Sequence, residues 1–208
     1  MYFCFYDSPK NARGRNDMDR QFMCIYEAQC DNLKLLLCSD GAHLTRLEFA
    51  NSHKMRDFGV DLCKILGESK LDCSVDSPNL PIFTQTKKWL DLYFSGEIPQ
   101  FVPKIAFPNN ASAFALRVWE ILQSIPHGKT TTYGAIAKQI AREFGIAKMS
   151  AQAVGGAVSR NPIAIIIPCH RVLGTNGNLT GYAGGIANKI TLLKLEKIPI
   201  DSLKMPKI

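Results

Sequence analysis

Apolar residues fall along this chain in two rhythms, and the change from one to the other divides it. Between residues 22 and 49 they come in short runs rich in β-favouring types. These are Phe22 to Ala28, Leu33 to Cys38 and Leu44 to Phe49, with Asp40-Gly41 placed to turn the chain before the third. The pattern predicts a small antiparallel meander. Farther on, Phe83, Trp89, Leu90, Leu92, Tyr93 and Phe94 recur at helical spacing, Gly96 can end that helix, and Pro99 and Pro103 punctuate its exit. After Asn110 the rhythm is mainly helical. Val118, Trp119, Ile121, Leu122 and Ile125 make one apolar face of a helix over 114–125, stopped by Pro126-His127-Gly128. Tyr133 opens a second helix, lined by Ile136, Ala137, Ile140, Ala141 and Phe144 and closed by Gly145. Ser150 caps a third, Ala151 to Val158, built almost wholly from small residues. A single segment of this half reads as extended, Ile163 to Ile167, and it is too apolar to be exposed. Residues 1–20 are polar with no periodic apolar face, which predicts that part of them is poorly ordered.

Strands followed by helices make the fold class α+β, and 208 residues with 46% hydrophobic content can bury a core in one domain or two small ones. The stretch Pro99 to Asn110 carries three prolines and reads as a linker, giving a leader over 1–20, a first domain over 21–108 and a second over 109–208. Charge sharpens this division. Residues 1–108 hold 13 Lys/Arg against 14 Asp/Glu, whereas residues 109–208 hold 12 against 4, so the formal charge of +7 belongs to the second half. A basic domain suits a polyanion partner through counterion release, although a merely soluble basic surface has the same composition. Seven cysteines, irregularly spaced, fit neither a disulfide framework nor a metal module and point to a reducing compartment. No apolar run reaches the roughly 18 residues of a membrane span, and no secretory signal is recognisable, so the expectation is an intracellular protein, cytoplasmic or nuclear.

The chemistry gathers around Cys169. Pro168 removes a backbone donor and biases Ile167 towards extended backbone, so Cys169 emerges at the end of a buried stretch. Buried cysteines are most often inert, and that reading suits Cys24, Cys38 and Cys63. Cys169 differs because His170 and Arg171 follow it, groups that favour a thiolate, the reactive form. In extended chain, however, successive side chains point to opposite faces. Either the backbone turns here or a water carries the proton. The two helices over 133–158 suit a helix-turn-helix that lays its second helix on DNA, and equally suit ordinary close packing.

The run Pro168-Cys169-His170-Arg171-Val172 resembles the O6-alkylguanine-DNA alkyltransferases, or methylated-DNA–protein-cysteine methyltransferases. The likeness extends in order from Arg117-Val118-Trp119-Glu120 through Pro126-His127-Gly128, Thr132-Tyr133-Gly134, Ala153-Val154-Gly155-Gly156-Ala157 and Asn161-Pro162 to Gly181-Tyr182-Ala183-Gly184-Gly185 and Glu196. It implies an RNase H-like N-terminal domain and a winged-helix, helix-turn-helix C-terminal domain. It also implies stoichiometric transfer of an alkyl group from O6-alkylguanine to Cys169, with O4-alkylthymine as a second candidate substrate. His170 would take the cysteine's proton through a water, Glu196 would orient His170, and Asn161 would tie the recognition helix to the active-site turn. Tyr133 would assist nucleotide rotation and donate to the base, and Tyr182 and Ala183 would line its pocket. Gln152, Ala153, Gly155 and Gly156 would face the minor groove of duplex DNA. The implied protein acts as a monomer without a cofactor.

Two departures from the family pattern matter. Many members carry arginine where Gln152 stands, so the side chain that enters the vacated stack has lost its charge and its guanidinium plane. In the first half neither Cys38 nor His43 falls on the family's zinc-ligand positions, which predicts no metal. His43, His53 and His127 read as structural or exposed, and Lys148 and Arg160, flanking the helix of small residues, as phosphate contacts or solvated charges. Three functions compete: the repair enzyme, a lesion-binding module without chemistry, and a cysteine hydrolase. Cys169 argues against the second. The third needs an oxyanion site that the sequence does not suggest. A methyl sensor would need an added four-cysteine domain that the N-terminal spacing does not supply.

Overall fold

A computed structural model describes residues 5–6, 21–28, 33–52, 80–179 and 181–205. The chain forms two compact units, Met1–Pro108 and Asn109–Ile208. In the first, four antiparallel strands lie in sequence order: β1 (Phe5–Tyr6), β2 (Gln21–Glu27), β3 (Lys34–Ser39) and β4 (Leu44–Phe49). Cys24 pairs with Leu37 and Leu37 with Leu47, all buried, so the apolar alternation sets the register. The Asp40-Gly41 turn forms as expected. Asp40 Oδ1 accepts from the amides of Ala42 and His43 at 2.9 and 2.7 Å, and Gly41 takes a φ of +101°.

Helix α1 (Pro81–Phe94) starts on a proline, whose missing N–H would be unsatisfied there in any case, and buries Phe83, Trp89, Leu90 and Tyr93. Tyr26 of β2 stacks on Phe94, with ring centroids 6.1 Å apart, and donates to Asp91 Oδ1 at 2.8 Å. The proline-rich stretch read as a linker is partly absorbed into the first unit. Leu44 N donates to Lys104 O at 2.8 Å and Ala106 N to Leu44 O at 3.1 Å, because Pro103 and Pro108 leave the amides between them free to pair. Of the leader, only Phe5 and Tyr6 are among the described residues. The rest of it lies outside them, as do His53, Cys4, Cys30, Cys63 and Cys73.

The second unit contains four helices among its described residues: α2 (Ala113–Gln123), α3 (Tyr133–Glu143), α4 (Ala151–Ser159) and α5 (Ile186–Leu195). Ser112, Thr132 and Ser150 cap the first three, each accepting from backbone amides of the opening turn. Val118, Trp119 and Leu122 of α2 meet Val154, Ala157 and Val158 of α4 in the core, and Trp119 Nε1 donates to Ala157 O at 2.9 Å. A short parallel pairing of β5 (Thr131–Thr132) with β6 (Val172–Leu173) ties the start of α3 to the chain just past Cys169. No described helix is long and apolar enough to cross a membrane.

Two expectations fail here. Phe144 is 52% exposed instead of lining α3, because the helix ends at Glu143 and the chain leaves through Gly145 at φ +63°. Ile163 to Ile167 is buried but not extended. Ile167 N donates to Ile163 O and Ile166 N to Ala164 O, with Ile165 at a φ of +67°. An unbroken apolar run reports burial without reporting backbone shape. Here the Asn161 side chain, accepting from Ile163 N at 3.0 Å, supplies a partner that a strand neighbour would otherwise provide. Because the indole of Trp119 satisfies a helix carbonyl in the core, Trp119→Phe should lower the unfolding free energy in urea by about 2 kcal/mol. A loss below about 0.5 kcal/mol would show that this hydrogen bond contributes little.

Candidate active site

Asn161 follows α4 by two residues and is fully buried. Its side-chain nitrogen donates to Ile163 O at 3.2 Å, to Ile167 O at 2.9 Å and to Cys169 Sγ at 3.1 Å. One amide therefore closes the turns before the cysteine and touches its sulfur. Pro168, at φ −79° and ψ 62°, leads into a single turn of 3-10 helix over Cys169–Arg171. That turn removes the extended-chain difficulty, since His170 and Arg171 no longer alternate across a strand. Cys169 keeps 8% exposure, enough to be approached from one side.

His170 and Arg171 both reach Glu196, which caps the end of α5. His170 Nε2 lies 2.7 Å from Glu196 Oε1. Arg171 Nε donates to both carboxylate oxygens at 3.1 and 2.9 Å, and Nη2 donates to Oε1 at 2.8 Å. Gly128 N adds a fourth donor group at 3.2 Å, while Arg171 Nη1 bonds Ile125 O at 2.6 Å. The guanidinium is thus committed to Glu196, a partner the sequence reading did not give it, and not to the Cys169 sulfur. Burial raises the Glu196 pKa, but the His170 and Arg171 hydrogen bonds outweigh it and hold the carboxyl well below the ordinary glutamate range. Burial pushes His170 the other way, below 6.5, against the pull of Glu196, so the ring is neutral at pH 7. With its Nε2–H given to a carboxylate, the neutral imidazole carries its basic lone pair on Nδ1.

Lys189 is the residue that sequence reasoning missed. It lies on α5, fully buried, with Nζ donating to Val172 O at 2.6 Å and standing 5.7 Å from the Tyr182 ring centre. Burial lowers its pKa to about 8, and the nearby Cys169 acts in the opposite direction. A lysine at helical spacing among apolar residues reads as a solvated charge, and only tertiary placement reveals it. Tyr133 opens α3 and donates to Gly181 O at 3.1 Å. Burial, with Cys169 adding to it, pushes its phenol up to about 12, so it stays protonated.

The other predicted residues lie around this centre. Gln152 and Ala153 are exposed on the first turn of α4. A Cβ at Gly155 would stand 3.8 Å from the Tyr133 ring, and one at Gly156 3.5 Å from Arg160 Nη1, both ordinary contact distances. Arg160 and Lys148 are exposed at either end of the helix. Tyr182 and Ala183 are half-buried in a turn closed by Gly185 N to Tyr182 O at 3.0 Å. His43 pairs with Asp40 at 3.1 Å, and burial raises Cys38 to about 12 and raises Cys24, which suits inert packing. Among the described residues no group of three or more His, Cys, Asp or Glu could hold a metal ion.

A family model for the DNA-binding domain of 6-O-methylguanine DNA methyltransferase matches residues 113–198. The methylated-DNA–protein-cysteine methyltransferase of Mycobacterium leprae is 48% identical over 120 residues, 58% of this chain and 68% of that protein. That of Haemophilus influenzae is 34% identical over 174 residues, 80% of this chain and 82% of its own. Among solved structures, the Mycobacterium tuberculosis O6-methylguanine methyltransferase aligns with a TM-score of 0.61 at 33% identity, covering 84% of this chain and 92% of its own. Mycobacterium tuberculosis OGT in complex with DNA aligns with a TM-score of 0.58 at 35% identity, covering 81% and 90%.

Two buried groups, His170 and Glu196, fix how stability responds to acid. His170 is depressed on folding, so the unfolded chain takes up its proton first and stability falls as pH drops below about 6.5. Glu196 is also depressed, and adds a second loss below about pH 4.5. Urea midpoints should decline on acidification below about pH 6.5, whereas a rise from pH 7 to 5 would contradict this. Glu196→Gln, which leaves Arg171 without its carboxylate, should cost about 3 kcal/mol at pH 7.

Proposed function

The chain belongs to the methylated-DNA–protein-cysteine methyltransferase family, and from this we infer that it repairs DNA by moving an alkyl group from guanine O6 to the sulfur of Cys169, once per molecule. The observation that carries the reading is the pairing of the Cys169 sulfur with the Asn161 amide, next to a histidine held by a buried carboxylate. In the transfer the sulfur attacks the alkyl carbon in line. The S–C bond forms as the C–O6 bond breaks, and the electron pair of that bond stays on the guanine. The cysteine proton passes through a water to His170 Nδ1. His170 is a ready acceptor because burial keeps it neutral, and Glu196 stabilises the imidazolium that forms. Tyr133 exchanges the Gly181 carbonyl for the departing base and donates to it, a role its high pKa supports. The donated bond from Asn161 and the nearby ammonium of Lys189 favour negative charge on the sulfur.

The substrate is duplex DNA carrying O6-alkylguanine, approached from the minor groove. The alkylated nucleotide turns out of the stack, because its O6 substituent is inaccessible within it. Helices α3 and α4 act as the helix-turn-helix of a winged-helix domain, and the first unit is RNase H-like. Helix α4 lies against the groove, where Gly155 and Gly156 permit close approach, Ala153 faces the DNA and Arg160 meets a phosphate. Gln152 enters the space left by the nucleotide, and Tyr182 and Ala183 line the pocket that receives the base. The protein works as an intracellular monomer without a cofactor. A thioether cannot be cleared by this machinery, so the reaction ends with the alkylated chain.

Incubation with duplex carrying methyl-labelled O6-methylguanine should place about one label per chain, on Cys169, and then stop. Continued turnover or label on another residue would overturn the reading. Gln152→Ala should weaken duplex binding about threefold, while alkylation of Cys169 by iodoacetamide stays unchanged. Unchanged affinity together with an unchanged transfer rate would remove Gln152 from the site.

A further inference from the structure

The chain beyond α5 folds back on the loop that leads into the proposed base pocket. After Glu196 it makes one turn of 3-10 helix, Ile200–Ser202, and Leu203 N donates to Ile200 O at 2.9 Å. Lys204 then pairs in parallel with Asn178. Leu179 N donates to Lys204 O at 2.9 Å, and Lys204 N donates to Gly177 O at 3.0 Å. The gripped loop reverses over Thr175 to Asn178, with Asn176 and Gly177 at φ values of +57° and +73°, and Gly174 N closes it on Asn178 O at 2.7 Å. That φ favours glycine at 177, and a Cβ there would stand 3.3 Å from Leu203 Cδ2, so the leucine would have to give slightly. Beneath the contact, Ile200 and Leu203 pack on Leu173, Leu179, Leu193 and Ile198.

Leu179 is two residues before Gly181, whose carbonyl accepts from Tyr133, and three before Tyr182. Two residues span at most about 7 Å, so wherever the strand at Leu179 is held, Gly181 is confined to a short radius around it. Gly181 also takes a φ of +78°, and a Cβ there would stand 3.1 Å from the Tyr133 oxygen, so the pocket edge packs tightly against the phenol. The pocket segment is therefore fixed at two points. Tyr133 holds it from one side, and the backbone of Lys204 holds it from the other through Leu179.

We propose that Ile200–Met205 is a positioning strap that, by clasping Leu179 and Gly177, sets where Gly181 and Tyr182 stand and so tunes how tightly the extruded base is held without touching it. This rests on the reading of Cys169 as the alkyl acceptor. Lys204 and Leu203 are positioning residues, acting through the backbone of the pocket loop. The surface side chain of Lys204 has no part in it, whereas its N–H and C=O do.

The test compares Lys204→Pro, which deletes the N–H given to Gly177, with Lys204→Ala, which keeps both backbone bonds. Leu203 is extended, with φ −94° and ψ 148°, the conformation that tolerates a following proline. Single-turnover methyl transfer from O6-methylguanine duplex is measured against duplex concentration on the full chain, alongside the rate at which iodoacetamide alkylates Cys169. In Lys204→Pro the half-saturating duplex concentration should rise about fivefold, with maximal rate and iodoacetamide rate within about twofold of the unsubstituted chain. Lys204→Ala should match the unsubstituted chain. Leu203→Ala should reproduce the rise and Leu203→Met reverse most of it, which keeps the question open to measurement if the proline variant fails to fold. A half-saturating concentration unchanged in both Lys204→Pro and Leu203→Ala overturns the proposal. So does a parallel fall in iodoacetamide reactivity, which would mark general loss of structure. If the unsubstituted chain takes no label on Cys169, the alkyl-acceptor reading itself fails and the strap proposal with it.

Discussion

The second unit is organised around one buried carboxylate. Glu196 takes hydrogen bonds from an imidazole, a guanidinium and a backbone amide, and these come from the catalytic turn and from the turn that ends α2. Arg171 extends the same clamp to the chain just past α2 by bonding Ile125 O. The end of α5, the exit of α2 and the turn bearing Cys169 are thus registered against each other by charge. Stacked apolar surfaces alone would let them slide. Such an arrangement tolerates no partial loss, because any donor removed leaves a buried charge uncompensated. Fully satisfied, it holds His170 in one orientation beside Cys169.

Burial sets the protonation states around the sulfur in three different senses. It keeps His170 neutral, keeps Tyr133 protonated and brings Lys189 near its midpoint at about pH 8. A neutral imidazole, a protonated phenol and a lysine shifted towards neutrality are therefore gathered near one sulfur. The fields are strong because the same packing that desolvates these groups excludes competing water.

Much of this was legible in the chain, though by two different routes. The strands at Leu33 to Cys38 and Leu44 to Phe49, the turn at Asp40-Gly41 and the caps at Thr132 and Ser150 follow from local physics, in which each residue's own preference agrees with its surroundings. Asn161, Glu196 and Tyr133 do not follow in this way. Taken singly they are a turn residue, a helix-end carboxylate and an aromatic at a helix start, and only the ordered likeness to a family marks them. Arg171 and Lys189 show what neither route supplies. Their partners, Glu196 and Val172 O, lie 25 and 17 residues away, and a positive charge in sequence carries no label saying whether it will be buried. Ile163 to Ile167 shows the limit of periodicity, since with no polar residue to alternate, a strand and a nest of tight turns look alike. Asn176-Gly177 is a different case, a dipeptide whose residue types favour the left-handed backbone it adopts but whose importance depends on what clasps it.

Ile165 holds a left-handed backbone that a β-branched residue enters only under compulsion, four residues before the cysteine and inside the turns that Asn161 closes. The strain at Ile165 is a cost carried by the folded chain, and it is held in place by an amide that also touches the Cys169 sulfur. One side chain thus keeps the uncomfortable backbone and the nucleophile in the same grip, so whatever loosens Asn161 loosens both.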